Sequence, residues 1–119
     1  MLKIHESEQH LPALTRVFAL LGKRWNGLLI AALATGPAGF IQVRRRVPGI
    51  SDRMLSDRLH ELTTAGIVTR TVHPGPPART LYALTERGSA LLGPLHALAC
   101  WGREHLPPQP HGADEAPTG

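Results

Sequence analysis

Cysteine is nearly missing from this chain. Cys100 stands alone among 119 residues, so no disulfide can form within it, which fits a reducing cytoplasm. Long apolar runs are missing too. The longest, Leu28 to Ala34, is far too short to span a bilayer, and the opening "MLKIHESEQH" has no apolar signal core. The sequence therefore reads as neither secreted nor membrane-inserted. No internal repeat is visible. The 7 histidines invite a metal reading, but no two pair with a cysteine or acid at a recognised ligand spacing. Neither a metal nor another cofactor is expected.

Acidic side chains are scarce where basic ones gather. The formal charge is +4, but two of the acids, Asp114 and Glu115, sit in a terminal segment without Lys or Arg. Between Gly39 and Thr80 lie seven arginines and only three acids. That local excess suits a polyanionic partner. The length fits one small domain with a limited core.

Periodicity and turn chemistry divide the chain. Residues 1–11 show no strong pattern and read as a flexible arm. Leu14, Val17, Phe18 and Leu21 follow at helical spacing, with Gly22 as the stop. A second helix is expected from Asn26, as a capping residue, to Thr35; it is apolar nearly all round and so should be central. Phe40 opens a short strand or anchors the helix "IQVRRRV". After the "PGI" turn, Ser51 fits an N-cap and Asp52 complements the helix dipole, with Ile50 placed to staple onto Leu55. Leu55, Leu59 and Leu62 define the buried arc, and "AG" at 65–66 ends the helix. "IVTRTV" and "TLYALT" then read as a hairpin joined by "HPGPPAR". Thr85 caps a final helix in which Pro94 marks a bend near the start. The segment 107–119, rich in proline, reads as a disordered tail. The fold class is thus mainly α with a small β-hairpin, a winged helix-turn-helix over 12–106.

The residues opposite the leucine arc carry the chemistry. Arg53, Asp57 and His60 point outward, with Ser56 on the shoulder and Ser51 at the N-terminus. In a helix-turn-helix, the N-terminal outward residues of the second helix reach base edges in the major groove. Arg53 suits a bidentate contact to guanine, and Ser56 a base or a phosphate. Asp57 would repel a phosphate, so it should accept from a base amine or orient Arg53 or His60. At least one of Arg44, Arg45 and Arg46 is expected to reach a phosphate, another only a surface ion pair. Arg58 lies nearer the buried arc and should pair with Glu61 or Glu86. At the hairpin, Arg79 could enter a minor groove or clamp the backbone, and His73 is a further candidate phosphate contact.

The apolar arc of the last helix, through Leu91, Leu92, Leu95, Leu98, Ala99 and Trp101, exceeds what a small winged domain needs for its own core. An exposed patch of that kind marks an interface. That arc suggests a homodimer.

The stretches "LLGKRWNGLLIAALATGP", Phe40, "RRRVPGIS", "LSDRLHELTTAGIVTR" and "PPARTLYALTERG" resemble the HxlR family of winged-helix transcriptional regulators, relatives of the MarR group. The resemblance runs from about Leu11 to Gly102. It implies a homodimer joined by the first and last helices, which would place Leu14 and Phe18 with the last helix in the interface, bound to a palindromic or near-palindromic operator in double-stranded DNA. The family's recognition helix and wing fall on Ser51–Ala65 and Val72–Thr80. Two departures stand out. Where many members carry a sensing cysteine before the first helix, this chain has Pro12, which rules out cysteine-based sensing at that site. Gly75 and Leu81 replace acidic residues of the family's wing and make it less negative.

The expected function is a sequence-specific transcriptional regulator, more a repressor than an activator, with no membrane partner. Two other readings stay open. A small apolar effector could bind near the dimer interface, with Phe18, Trp25 and Trp101 as candidate lining. A winged-helix protein-interaction module without DNA is the other. An enzyme is not expected. Ser51, Asp57 and His60 point outward with no evident pocket, and His96 with Cys100 lies on the presumed interface helix.

Overall fold

In the computed structural model, which describes residues 4–109, six helices and one antiparallel hairpin follow in the order α1 (Ile4–Leu21), α2 (Asn26–Ala32), α3 (Phe40–Arg46), α4 (Asp52–Thr64), β1 (Val68–His73), β2 (Arg79–Leu84), α5 (Glu86–Ser89) and α6 (Leu92–His105). A helix-turn-helix followed by a hairpin is the winged arrangement the sequence predicts.

Several details differ from the sequence reading. The first helix begins at Ile4, so much of the segment read as an arm is helical, and Pro12 lies inside the helix. Proline there removes one backbone donor from the helix ladder. The second helix ends at Ala32, short of Thr35, in a run of turn hydrogen bonds before Gly36 and Pro37. Asn26 does not cap it. Trp25 holds the cap position, and Asn26 is fully buried, donating through Nδ2 to the Leu20 carbonyl at 2.9 Å. The side chain thereby ties the end of α1 to the start of α2. Finally, the strand considered before α3 shrinks to one bridge. Ala38 and Tyr82 exchange backbone hydrogen bonds of 2.9 and 2.8 Å, because Pro37 precedes and Gly39 caps α3 immediately after. The tail assigned to 107–119 lies outside the described residues from 110 onward.

Local sequence accounts for the rest. Ser51 Oγ accepts from the Met54 N–H at 3.1 Å, an N-cap that fixes where α4 starts. Gly49 in the preceding turn has φ +94°, a backbone shape that a side chain would strain. Thr85 Oγ1 accepts from the Gly88 N–H at 3.0 Å, but the helix it caps stops at Ser89, and the chain bends before α6, whose first turn holds Pro94. Gly88 allows α5 to lie on the hairpin: a Cβ there would fall 2.2 Å from the Ile67 carbonyl oxygen.

The core forms where α2, α3 and α4 meet the base of the hairpin. Leu29, Ile30 and Leu33 come from α2 and the residue after it. Val43 and Val47 come from α3 and its end, Leu55, Leu59 and Leu62 from α4, and Ile67 and Val68 from the residue before β1 and its first residue. Leu28 faces outward, so α2 is central on one side only. The last helix adds no fully buried residue; Leu91, Leu92 and Leu95 pack on the core's edge. The rest of its apolar arc, Leu98, Ala99 and Trp101, is exposed in the single chain.

Candidate nucleic-acid interface

The inward turn of the three leucines decides what the other side of α4 can do. Leu55, Leu59 and Leu62 are 0%, 1% and 0% exposed. Helical geometry then sends Arg53, Ser56, Asp57 and His60 into solvent, and all four are exposed. Ser51 is exposed as well, with its oxygen engaged in the cap. The face offers a guanidinium, a hydroxyl, a carboxylate and an imidazole, a set suited to base edges rather than to another protein's apolar surface. Arg58 turns back toward the fold and binds Glu61 at 2.5 Å.

The arginine run divides its duties. Arg44 donates to Asp52 Oδ1 at 2.5 Å, and Arg46 to the Ala32 carbonyl at 2.8 Å. Both hold α3 to its neighbours. Arg45 is exposed and makes no ion pair among the described residues, which leaves it the freest of the three for a phosphate.

At the hairpin, His73 and Arg79 are the last pair of the ladder, flanking the tip, and both are exposed. No carboxylate lies in the tip between them. The pairing places two potential cations side by side at the end of the wing.

Glu61 is the structural counterweight on the inner flank of α4. Lys23 and Arg58 each approach it at 2.5 Å. The hydrogen bond from Lys23, aided by Asn26 and by both positive charges, holds its carboxyl below the usual carboxylate range despite partial burial.

The expected interface residues fall into two groups. Leu14, Phe18, Leu98 and Trp101 are 41%, 59%, 57% and 54% exposed, whereas Leu91 and Leu95 are half-buried against the core. Leu11 and Val17 extend the exposed stripe of α1 and were legible from the same periodicity. Phe18, Trp25 and Trp101 do not share one environment. Trp25 is half-buried below Arg24, whose guanidinium carbon lies 4.6 Å from the ring centroid, and Phe18 and Trp101 stand in solvent. None of the three lines the apolar cleft of about 400 Å³ that lies between the C-terminal end of α2 and α6, lined by Ala31, Ala34, Leu92, Leu95, His96 and Ala99.

Sequence reasoning missed Arg70. It follows Val68 by two residues, so strand alternation puts it on the hairpin face that packs against α4, opposite Tyr82. That period-2 signal was available in "VTRTV". Among the described residues no group of histidine, cysteine and acid side chains could hold a metal ion. No helix among them is long and apolar enough to cross a membrane.

Comparison with known proteins agrees with this geometry. The HxlR-like helix-turn-helix family matches residues 20–110. The HTH-type transcriptional regulator YodB of Bacillus subtilis (strain 168) is 41% identical over 97 residues, which span 82% of this chain and 87% of that protein. The solved reduced form of YodB superposes with a TM-score of 0.73 at 40% identity, covering 83% of this chain and 97% of that one. The redox regulator HypR in its oxidised form gives a TM-score of 0.75 at 31% identity, covering 81% and 99%. An exposed polar face on the second helix of a helix-turn-helix, a cationic wing and relatives of this kind lead to one conclusion: the chain belongs to the HxlR-like helix-turn-helix family of DNA-binding transcriptional regulators.

Proposed function

We propose that the protein acts in the cytoplasm as a homodimeric repressor of a near-palindromic operator, with α4 in the major groove and the wing on the adjacent backbone or minor groove. The observation that carries this reading is the outward set Arg53, Ser56, Asp57 and His60 over a fully buried leucine arc. Arg53 and Asp57 read base edges; Ser51, Ser56 and His60 bond bases or nearby phosphates. Arg45, His73 and Arg79 supply phosphate contacts that position the helix without specifying sequence. Leu14, Phe18, Leu98 and Trp101 form the dimer contact, since exposed apolar side chains of this size need cover. Two-fold symmetry then spaces the recognition helices by about 34 Å, one turn of DNA.

Selection of bound sequences from random DNA, repeated at two salt concentrations, tests the proposal. It should return inverted half-sites one helical turn apart. Unrelated sequences, or half-sites without dyad symmetry, would sink it.

A small apolar effector is the second reading, favoured by the cleft between α2 and α6. Its volume of about 400 Å³ falls in the range of small-molecule sites. A thermal-shift screen of aromatic and aliphatic metabolites that raised no melting temperature would remove it.

A further inference from the structure

Between the outer flank of α4 and the inner face of the hairpin lies a cleft of about 160 Å³, lined by Ser56, Leu59, His60, Thr63, Arg70 and Tyr82. Arg70 and Tyr82 are directly opposed across the ladder, which puts their side chains on one face and within reach of one another. Leu59, almost fully buried, is its apolar part. No carboxylate lines it. Thr63 already donates its hydroxyl hydrogen to the Leu59 carbonyl at 2.7 Å. The serine and tyrosine hydroxyls, the histidine ring and the guanidinium remain as donors. Arg70 makes no ion pair among the described residues.

A guanidinium without an ion-pair partner among the described residues, set in a cleft of donors, fits an anion with several acceptor oxygens, and phosphate geometry suits arginine's planar fork. Ser56 and His60 belong both to this cleft and to the outward face of α4. An anion seated here is therefore adjacent to whatever duplex that face reads. We propose that the cleft seats one phosphodiester of the DNA strand bordering the major groove, with Arg70 as its anchor and Ser56, His60 and Tyr82 as flanking donors. This rests on the reading of α4 as the recognition helix. It adds a contact that fixes the angle of α4 in the groove, made from the body of the hairpin rather than from its tip.

The experiment uses the full chain and an operator chosen from random DNA. Affinity is measured across a salt series for the wild type, Arg70→Gln, Arg70→Lys and Arg53→Ala. Arg70→Gln should weaken every sequence about tenfold and lower the salt slope by about 0.9. Arg70→Lys should keep the slope, and Arg53→Ala should alter base preference instead. Replacing one operator phosphate at a time with an uncharged methylphosphonate should reveal a position that costs the wild type affinity and costs Arg70→Gln nothing more. Unchanged melting of Arg70→Gln excludes a folding effect.

An unchanged slope and methylphosphonate profile in Arg70→Gln, with the wild type still selecting its operator, would overturn the phosphate seat and leave the regulator reading standing. Inorganic phosphate binding that needs Arg70, without any loss of DNA slope, would make it a free-ion site and overturn it equally. A wild type that selects no DNA would bring down both.

Discussion

Arg44 and Asp52 meet across the turn of the helix-turn-helix, Nη1 to Oδ1 at 2.5 Å, and so join the basic end of α3 to the first turn of α4. The pair is largely exposed, so its worth in stability is small. Its effect on binding should be larger, because one of the three consecutive arginines is neutralised beside the face proposed to approach DNA. Asp52→Asn should release Arg44 toward a phosphate, tightening binding to all sequences and steepening the salt slope by up to about 0.9. The helix start should lose about 0.3–1 kcal/mol of dipole stabilisation. Fluorescence anisotropy across a salt series reads the first effect, and urea unfolding the second.

Arg53 and Arg79 should fail differently. Arg53→Ala should cost about 1–3 kcal/mol on the preferred operator and relax the preference at one base position. Arg79→Ala should weaken all sequences alike and lower the salt slope by about one. A binding-site selection repeated with each variant separates them; base preference untouched by Arg53→Ala would remove that side chain from sequence reading.

Glu61 gives the fold a pH dependence of known sign. Its carboxyl is held below the ordinary range in the folded state, mainly by Lys23. The stabilisation is therefore complete above the unfolded-state value and disappears as pH falls through the lowered folded one. Glu61→Gln should lose about 0.5–1 kcal/mol near neutrality and nothing at strongly acid pH. Urea midpoints of both proteins over a pH series check this, and a gap that widened toward acid would contradict it.

Leu98 is exposed and contributes nothing to the protomer's buried core. Leu98→Asp should accordingly split the proposed dimer while leaving each protomer folded. Sedimentation equilibrium should show the mass halved with circular dichroism unchanged. DNA affinity should fall steeply as the second half-site is lost. A variant that stayed dimeric would move the interface away from this face.

Much of the proposed recognition helix was readable from neighbouring residues alone. Ser51 as a cap, the leucine arc and the outward Arg53, Asp57 and His60 follow from spacing along one helix, and α4 reproduces them. Asn26 shows where this stops. Its sequence position looks like a cap, yet the packing of α1 against α2 buries it and gives it the Leu20 carbonyl instead. Cys100 is similar: it lies 3.7 Å from His96 Nε2 and accepts from Arg103 at 3.4 Å. Helical spacing allowed those contacts but did not require them.

The order of helices, the turn before α4, the hairpin and the polar composition of the outward face were set by the sequence itself, since periodicity, caps and turn residues act between near neighbours. Only the tertiary structure decided which arginines are occupied by Asp52 and the Ala32 carbonyl, and which stay open. It also brought Arg70 and Tyr82 to the flank of α4. Those outcomes depend on distances through space between segments far apart in the chain, and a charge or hydroxyl takes whichever partner packing brings within reach.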